Sequence, residues 1–254
     1  MKNCPINQRM NDNYELRARS YLTRRTPVIM RLDGKAFHTY TRGMQKPFDY
    51  DLMDMMRSTA KFLCEEIQGA KMAYTQSDEI SILITDYAKL STNAWFDYQV
   101  QKMCSVAASM ATAKFNQLAI DFQMTNYNHY VKEIALAFFD CRVFNVPKEE
   151  VANYFLARQK DAVENSISML AQSLYPHKVL QGKNGGEMQE MCFQKGENWN
   201  DLPFAAKRGS TVIKESYEPP STGESETTVR TRWSERFETP LSFSEEFFVD
   251  NNLI

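Results

Sequence analysis

Three carboxylates stand out by type and spacing: Asp33, followed at once by Gly34, and the adjacent pair Asp78-Glu79. Two Asp brought within a few ångströms of each other repel unless a divalent cation neutralises them. Mg²⁺ favours one or two carboxylates completed by substrate phosphates, so converging Asp33 and Asp78 would predict a two-metal site for phosphoryl or nucleotidyl transfer. Gly34 would let the backbone approach a ligand closely, which makes its carbonyl a further candidate metal contact. The plainer reading makes Asp33-Gly34 an ordinary turn and Asp78 an ordinary hairpin residue. Spacing alone does not decide between the two.

The elements that must bring these residues together can be read from hydrophobic pattern. Residues 27–34 form a short apolar run that ends in a turn, as a strand does. Leu52, Met55, Met56, Thr59, Phe62 and Leu63 repeat as one face of an amphipathic helix that closes near Gly69. Residues 71–75 and 80–85 are two apolar runs around the polar stretch 76–79, which suggests a hairpin. A second long helix follows, with Phe96, Val100, Met103, Ala107, Met110 and Lys114 on one stripe. A strand is expected within 134–146, and Pro147 with Glu149 and Glu150 suits the opening of a third helix running to about residue 173. The order β-α-β-β-α-β is that of the ferredoxin-like split unit, an α+β fold in which the first strand and the hairpin can be neighbours. Beyond residue 174 the pattern reads as a loop at 181–186 and a linker at 219–223. Residues 213–254 are expected to be an acidic C-terminal extension.

Composition removes several classes. The 254 residues carry a net charge of −2, with eight Lys/Arg against three Asp/Glu in residues 1–35 and three Arg against nine Asp/Glu in residues 215–254. A basic front permits a nucleic-acid partner without requiring one. Five dispersed Cys with no C-x-x-C pair argue against a disulfide scaffold and a thiolate zinc site, and three His without H-x-x-x-H spacing argue against a zinc hydrolase. No uncharged apolar run is long enough for a membrane helix, and the first twenty residues lack a signal-type apolar stretch. A cytoplasmic protein with no membrane partner is expected.

The string Arg31-Leu32-Asp33-Gly34-Lys35-Ala36-Phe37-His38 resembles the R-x-D-G-x-x-F-H opening of the histidine-tRNA guanylyltransferase superfamily. The resemblance continues through Lys46-Pro47 with Asp49, through Tyr74-Thr75-Gln76-Ser77-Asp78-Glu79, and through Gln101-Lys102 and Arg158-Gln159-Lys160-Asp161. It ends with Asn198, Asn200, Leu202-Pro203 and Lys207-Arg208-Gly209-Ser210, covering about residues 25–212. It implies a palm-like catalytic domain over 1–212, similar to that of template-dependent polymerases. It also implies chemistry that runs 3′-to-5′. ATP adenylylates a tRNA 5′-monophosphate, and the 3′-hydroxyl of an incoming GTP or other nucleoside triphosphate then attacks that end.

By the same resemblance Asp33, Asp78 and the Gly34 carbonyl hold two Mg²⁺, with Glu79 supporting them. Lys35, Phe37, His38, Lys46, Asp49 and Ser77 lie at the nucleotide, and Lys102 neutralises phosphate charge during transfer. Arg158, Asn165, Asn198, Lys207 and Arg208 are implied as RNA contacts, and the family's homotetramer is implied as the assembly. One departure bears on substrate. Where strict histidine-tRNA enzymes carry H-I-N-N, this chain has Val163-Glu164-Asn165. That loss resembles the bacterial and archaeal-type branch, whose members repair 5′-truncated tRNAs by templated addition. The competing readings are a strict histidine-tRNA guanylyltransferase, a noncatalytic RNA-binding module and a palm-like nucleotide cyclase.

Overall fold

The computed structural model describes residues 5–125, 136–217, 230–238 and 243–254. The strands are β1 (Val28–Gly34), β2 (Ala70–Gln76), β3 (Glu79–Ile84), β4 (Phe139–Asn145), β5 (Ser210–Tyr217) and β6 (Arg230–Arg236). The helices are α1 (Pro5–Met10), α2 (Phe37–Tyr40), α3 (Tyr50–Glu66), α4 (Val100–Thr125), α5 (Val151–Leu174), α6 (His177–Leu180), α7 (Gly185–Gln194), α8 (Phe204–Arg208) and α9 (Glu245–Asp250). All six strands form one antiparallel sheet in the order β4-β1-β3-β2-β5-β6. No described helix is long and apolar enough to cross a membrane.

Alternation along the central strands divides the core between the two sheet faces. Val28, Met30 and Leu32 of β1 pack with Met56, Leu63, Met103, Ala107 and Phe115 of α3 and α4. Ile29 of β1, Met72 of β2 and Leu83 of β3 pack on the opposite face with Val151 and Phe155 of α5. Small side chains at Ala107 and Ala111 are fully buried, which lets α4 sit close to the sheet. Asp49 opens α3 as its N-cap, accepting the Leu52 N–H at 3.0 Å.

The expected hairpin forms, with Gln76 and Glu79 paired in the ladder around a tight turn at Ser77-Asp78. Three expectations change. Phe96 does not belong to the second helix: Phe96, Asp97 and Tyr98 take left-handed φ values of 49°, 52° and 58° in a turn before α4. The expected loop at 181–186 ends in a capping box, Asn184 with Glu187, that starts α7. The third correction has the widest effect. The boundary expected at residue 212 falls inside β5, and β5 and β6 extend the main sheet. Beyond them Phe243, Phe248 and Leu253 pack with Phe155. The sequence hides this because β6 carries Arg and Glu on a half-exposed edge, with no apolar alternation to read. The linker expected at 219–223 lies outside the described residues.

Candidate active site

The ends of β1 and of the β2–β3 hairpin bring the carboxylates together. Asp33 is the register partner of Glu79 on one side and of Asp140 on the other. The Gly34 N–H donates to the Asp78 carbonyl at 3.1 Å, which ties the end of β1 to the hairpin turn. Ser77 adopts φ 51° in that turn, a conformation strained for a non-glycine residue. Burial pushes the Asp78 carboxyl above its usual range, and the nearby Asp33 charge adds to the rise. Gly34 could be no other residue without disturbance, since a Cβ there would meet the Phe37 ring at 2.3 Å.

Beside the carboxylates opens a cavity of about 450 Å³ lined by Gly34, Phe37, His38, Gln45, Lys46, Asp49, Ser77, Asp78 and Met169. A smaller apolar recess of about 70 Å³ shares Asp49, Leu52, Ser77 and Met169 with it and continues to Asn165 and Gly209. Asp49 is buried, and its second oxygen accepts the Gln45 N–H at 3.1 Å, so the same carboxylate that caps α3 fixes the cavity wall. His38 and Lys46 are exposed at the rim. Phe37 reaches the cavity from inside the core, where its ring meets Tyr40, Phe115 and Phe139 at 5.0, 5.7 and 5.3 Å.

Other expected residues stand elsewhere. Glu79 is buried and occupied. Its Oε2 forms an ion pair with Arg31 Nη2 at 2.7 Å and accepts Arg158 Nη1 at 3.2 Å, which leaves Arg158 engaged inside the protein with Glu79 and Asp161. Lys35 lies over the Phe138 ring, 5.9 Å from its centroid, and does not line the cavity. Lys102 lies 4.7 Å from the centroid of Phe96 at the start of α4. Ten residues further on, Thr112 Oγ1 accepts the Phe139 N–H at the Gly34 end of the sheet. At 1.5 Å per residue Lys102 is therefore about 15 Å from that end along the helix axis. Asn198 caps the turn at Trp199–Asp201, Lys207 donates to the Asn200 carbonyl at 2.5 Å, and the Arg208 carbonyl accepts the Tyr74 hydroxyl at 2.7 Å.

The register also shows residues that sequence reasoning passed over. Arg31 stands directly opposite Arg142 on β4, on the same sheet face as Asp33 and Asp140. Like charges placed opposite each other destabilise a sheet, and here each is paired with a carboxylate, Arg31 with Glu79 and Arg142 with Asp140 at 3.3 Å. Arg31 sits inside the first motif string and could have been singled out there; Arg142 needs the strand register to be seen.

The model of the tRNAHis guanylyltransferase (Thg1) family matches residues 8–147. The chain belongs to this family. A bacterial tRNAHis guanylyltransferase-like protein solved in complex with ATP is 46% identical, with a TM-score of 0.83 and 98% of each chain covered. A bacterial protein of the same description in complex with GTP is 45% identical, with a TM-score of 0.80, 98% of this chain and 99% of that chain covered. The tRNAHis guanylyltransferase of Schizosaccharomyces pombe is 27% identical over 206 residues, 75% of this chain and 74% of its own. Membership in the tRNAHis guanylyltransferase family makes the chain a nucleotidyltransferase, and these solved neighbours agree with its bacterial-type branch. The mixed helix and antiparallel-sheet architecture agrees with theirs.

Proposed function

We propose that this chain is a Mg²⁺-dependent 3′-to-5′ nucleotidyltransferase that adds nucleotides to tRNA 5′ ends, in templated repair of 5′-truncated tRNA. The observation that carries the reading is a nucleotide-sized cavity lined by Gly34 and Asp78, with Asp33 close enough for its charge to act on the Asp78 carboxyl. The strand order β4-β1-β3-β2 around two helices on one face supports the ferredoxin-like, palm-type assignment. The solved relatives in complex with ATP and GTP support those two nucleotides as ligands of the cavity.

The residues fit a divalent cation. Asp78 is held in a partly buried position where its charge is penalised, and the Asp33 charge beside it adds to the penalty. Among the described residues no group of three or more His, Cys, Asp or Glu is placed to hold a metal ion. Asp33, Asp78 and the Gly34 carbonyl would hold the cation together with water and substrate phosphates, the coordination Mg²⁺ prefers. Two bound Mg²⁺ would supply neutralisation of the charge carried by the reacting phosphates. Lys46 and Ser77 at the rim orient the triphosphate, and His38 and Asp49 flank the nucleoside. We place the protein in the cytoplasm as a homotetramer, following the family.

The second reading, a strict histidine-tRNA guanylyltransferase, is disfavoured by Val163 and Glu164. Val163 is half-buried against the Ile167–Leu170 cluster, and Glu164 is exposed with a charge that repels phosphate. The test is incubation with a 5′-truncated, 5′-monophosphorylated tRNA, Mg²⁺, ATP and all four nucleotides. Stepwise lengthening at the 5′ end supports the proposal; an unchanged 5′ end overturns it in favour of an RNA-binding module.

A further inference from the structure

Tyr154 on α5 and Ser81 on β3 belong to none of the motifs above, yet they finish the network around Glu79. Ser81 Oγ donates to Glu79 Oε1 at 3.1 Å, and the Tyr154 hydroxyl lies 2.9 Å from Ser81 Oγ. A serine hydroxyl carries one proton. That proton goes to Glu79, so the Tyr154 hydroxyl must be the donor to Ser81. Burial raises the Tyr154 pKa, which keeps this donor protonated. Its ring is fixed by Phe144 and Phe155, with centroids at 5.8 and 5.3 Å. At the other end of the chain of bonds, Glu79 Oε2 holds Arg31 and Arg158. Both oxygens of one carboxylate are therefore engaged, by hydrogen bonds from Ser81 of β3 and Arg158 of α5 and by the ion pair with Arg31 of β1.

The need for such a lock lies at Arg31. Its register partner Arg142 is a like charge, itself paired with Asp140 at 3.3 Å, and among the described residues the buried Arg31 Nε has no hydrogen-bond partner. Left to itself the Arg31 guanidinium would swing away from Arg142 toward water. Held by Glu79 it stays two residues from Asp33 on the same sheet face, with Nε left over for a ligand.

We propose that Tyr154 is a positioning residue for nucleotidyl transfer: through Ser81 it fixes Glu79, and through Glu79 it fixes Arg31 beside Asp33. The inference rests on the function proposed above, and its test separates the two. Tyr154→Phe and Ser81→Ala each remove one link with little change of shape, and their double variant tests whether they act in series. The readouts are kcat and KM for tRNA addition, the melting temperature, and the ¹⁵N–¹H NMR signal of Arg31 Nε, assigned by its loss in Arg31→Lys. Each single variant is expected to lower kcat about tenfold, equivalent to about 1.4 kcal/mol, with KM for ATP changed less than about twofold and Tm nearly constant. The double variant should lose no more than either single one, because the links are in series. The Arg31 Nε signal should broaden in both. Wild-type protein that transfers while Tyr154→Phe keeps its kcat, or losses that simply add, would overturn the relay. If wild-type protein transfers to no tRNA, the proposed function fails, and an unchanged Arg31 Nε signal in Tyr154→Phe would then overturn the relay by itself. Should Tyr154→Phe not fold, Ser81→Ala carries the same readouts.

Discussion

Replacing Gly34 by Ala tests how the core and the carboxylates are joined. The added Cβ would sit 2.3 Å from Phe37 Cδ2 and 2.5 Å from Cε2, whereas carbon atoms rest at about 3.5–4.0 Å. The ring must therefore retreat by more than an ångström. Toward the core it has no room, since it is 5% exposed and hemmed in by Tyr40, Phe115 and Phe139, and a shift the other way pushes it into the nucleotide cavity. Overpacking of this kind costs about 2 kcal/mol, or roughly 4–8 °C of melting temperature for a chain of this size. The backbone can yield instead, but only by loosening the Gly34 N–H bond to the Asp78 carbonyl. Either way Asp33 and Asp78 lose their alignment, and a misplacement of about 1 Å is worth about a hundredfold in rate. The assays are calorimetry and single-turnover nucleotide addition, with Gly34→Ala/Phe37→Leu as the relief variant expected to recover part of both losses. A Gly34→Ala protein that melts within about 1 °C of wild type and transfers at the normal rate would refute this reasoning.

Other perturbations follow from the same geometry. Because the Asp78 carboxyl titrates above its ordinary value in the folded protein, its charged form costs stability at neutral pH, and that cost disappears below the unfolded pKa. Asp78→Asn should thus raise the melting temperature of chelator-treated protein at pH 7, lose that advantage near pH 3, and abolish transfer; a variant with near-normal activity would contradict the metal assignment. Phe248 is fully buried against Phe155, at 5.6 Å between ring centroids. Phe248→Ala should cost about 3–5 kcal/mol and on the order of 10 °C in calorimetry, whereas a loosely attached acidic tail would show no change. Lys102→Ala should leave ATP affinity, measured by isothermal titration, within about twofold of wild type, because Lys102 does not line the cavity. A large loss of ATP affinity would place Lys102 at the nucleotide.

Most of what the sequence made legible was local. The apolar run ending at Asp33-Gly34 and the two runs around Asp78-Glu79 specify strands and a turn by composition alone, and the chain order allows their ends to meet, as the pairing of β1 with β3 brings about. What escaped depended on contacts between distant segments. Arg31 and Arg142 become a pair only once β1 and β4 are in register. Glu79 reads as a further site carboxylate in sequence, yet its fully engaged oxygens are visible only with Arg158 and Ser81 in place. Gly209, at φ 75°, closes against Thr75 and Tyr74 so tightly that a Cβ would lie 2.6 Å from each. Nothing near it in the sequence marks that approach. β5 and β6 were hidden for a related reason: an edge strand with one wet face and many charges lacks the period that identifies buried strands.

The central claim is that the template, and not a histidine-tRNA signature, chooses the nucleotide. Its most direct measurement is single-turnover addition of each of the four nucleotides to truncated, 5′-monophosphorylated tRNAs that differ only in the base opposite the site and in the anticodon. The account predicts guanylate opposite cytidine and adenylate opposite uridine, whatever the anticodon, with the paired nucleotide favoured at least about tenfold. Guanylate added regardless of the template base, and only to tRNAs with a histidine anticodon, would contradict it.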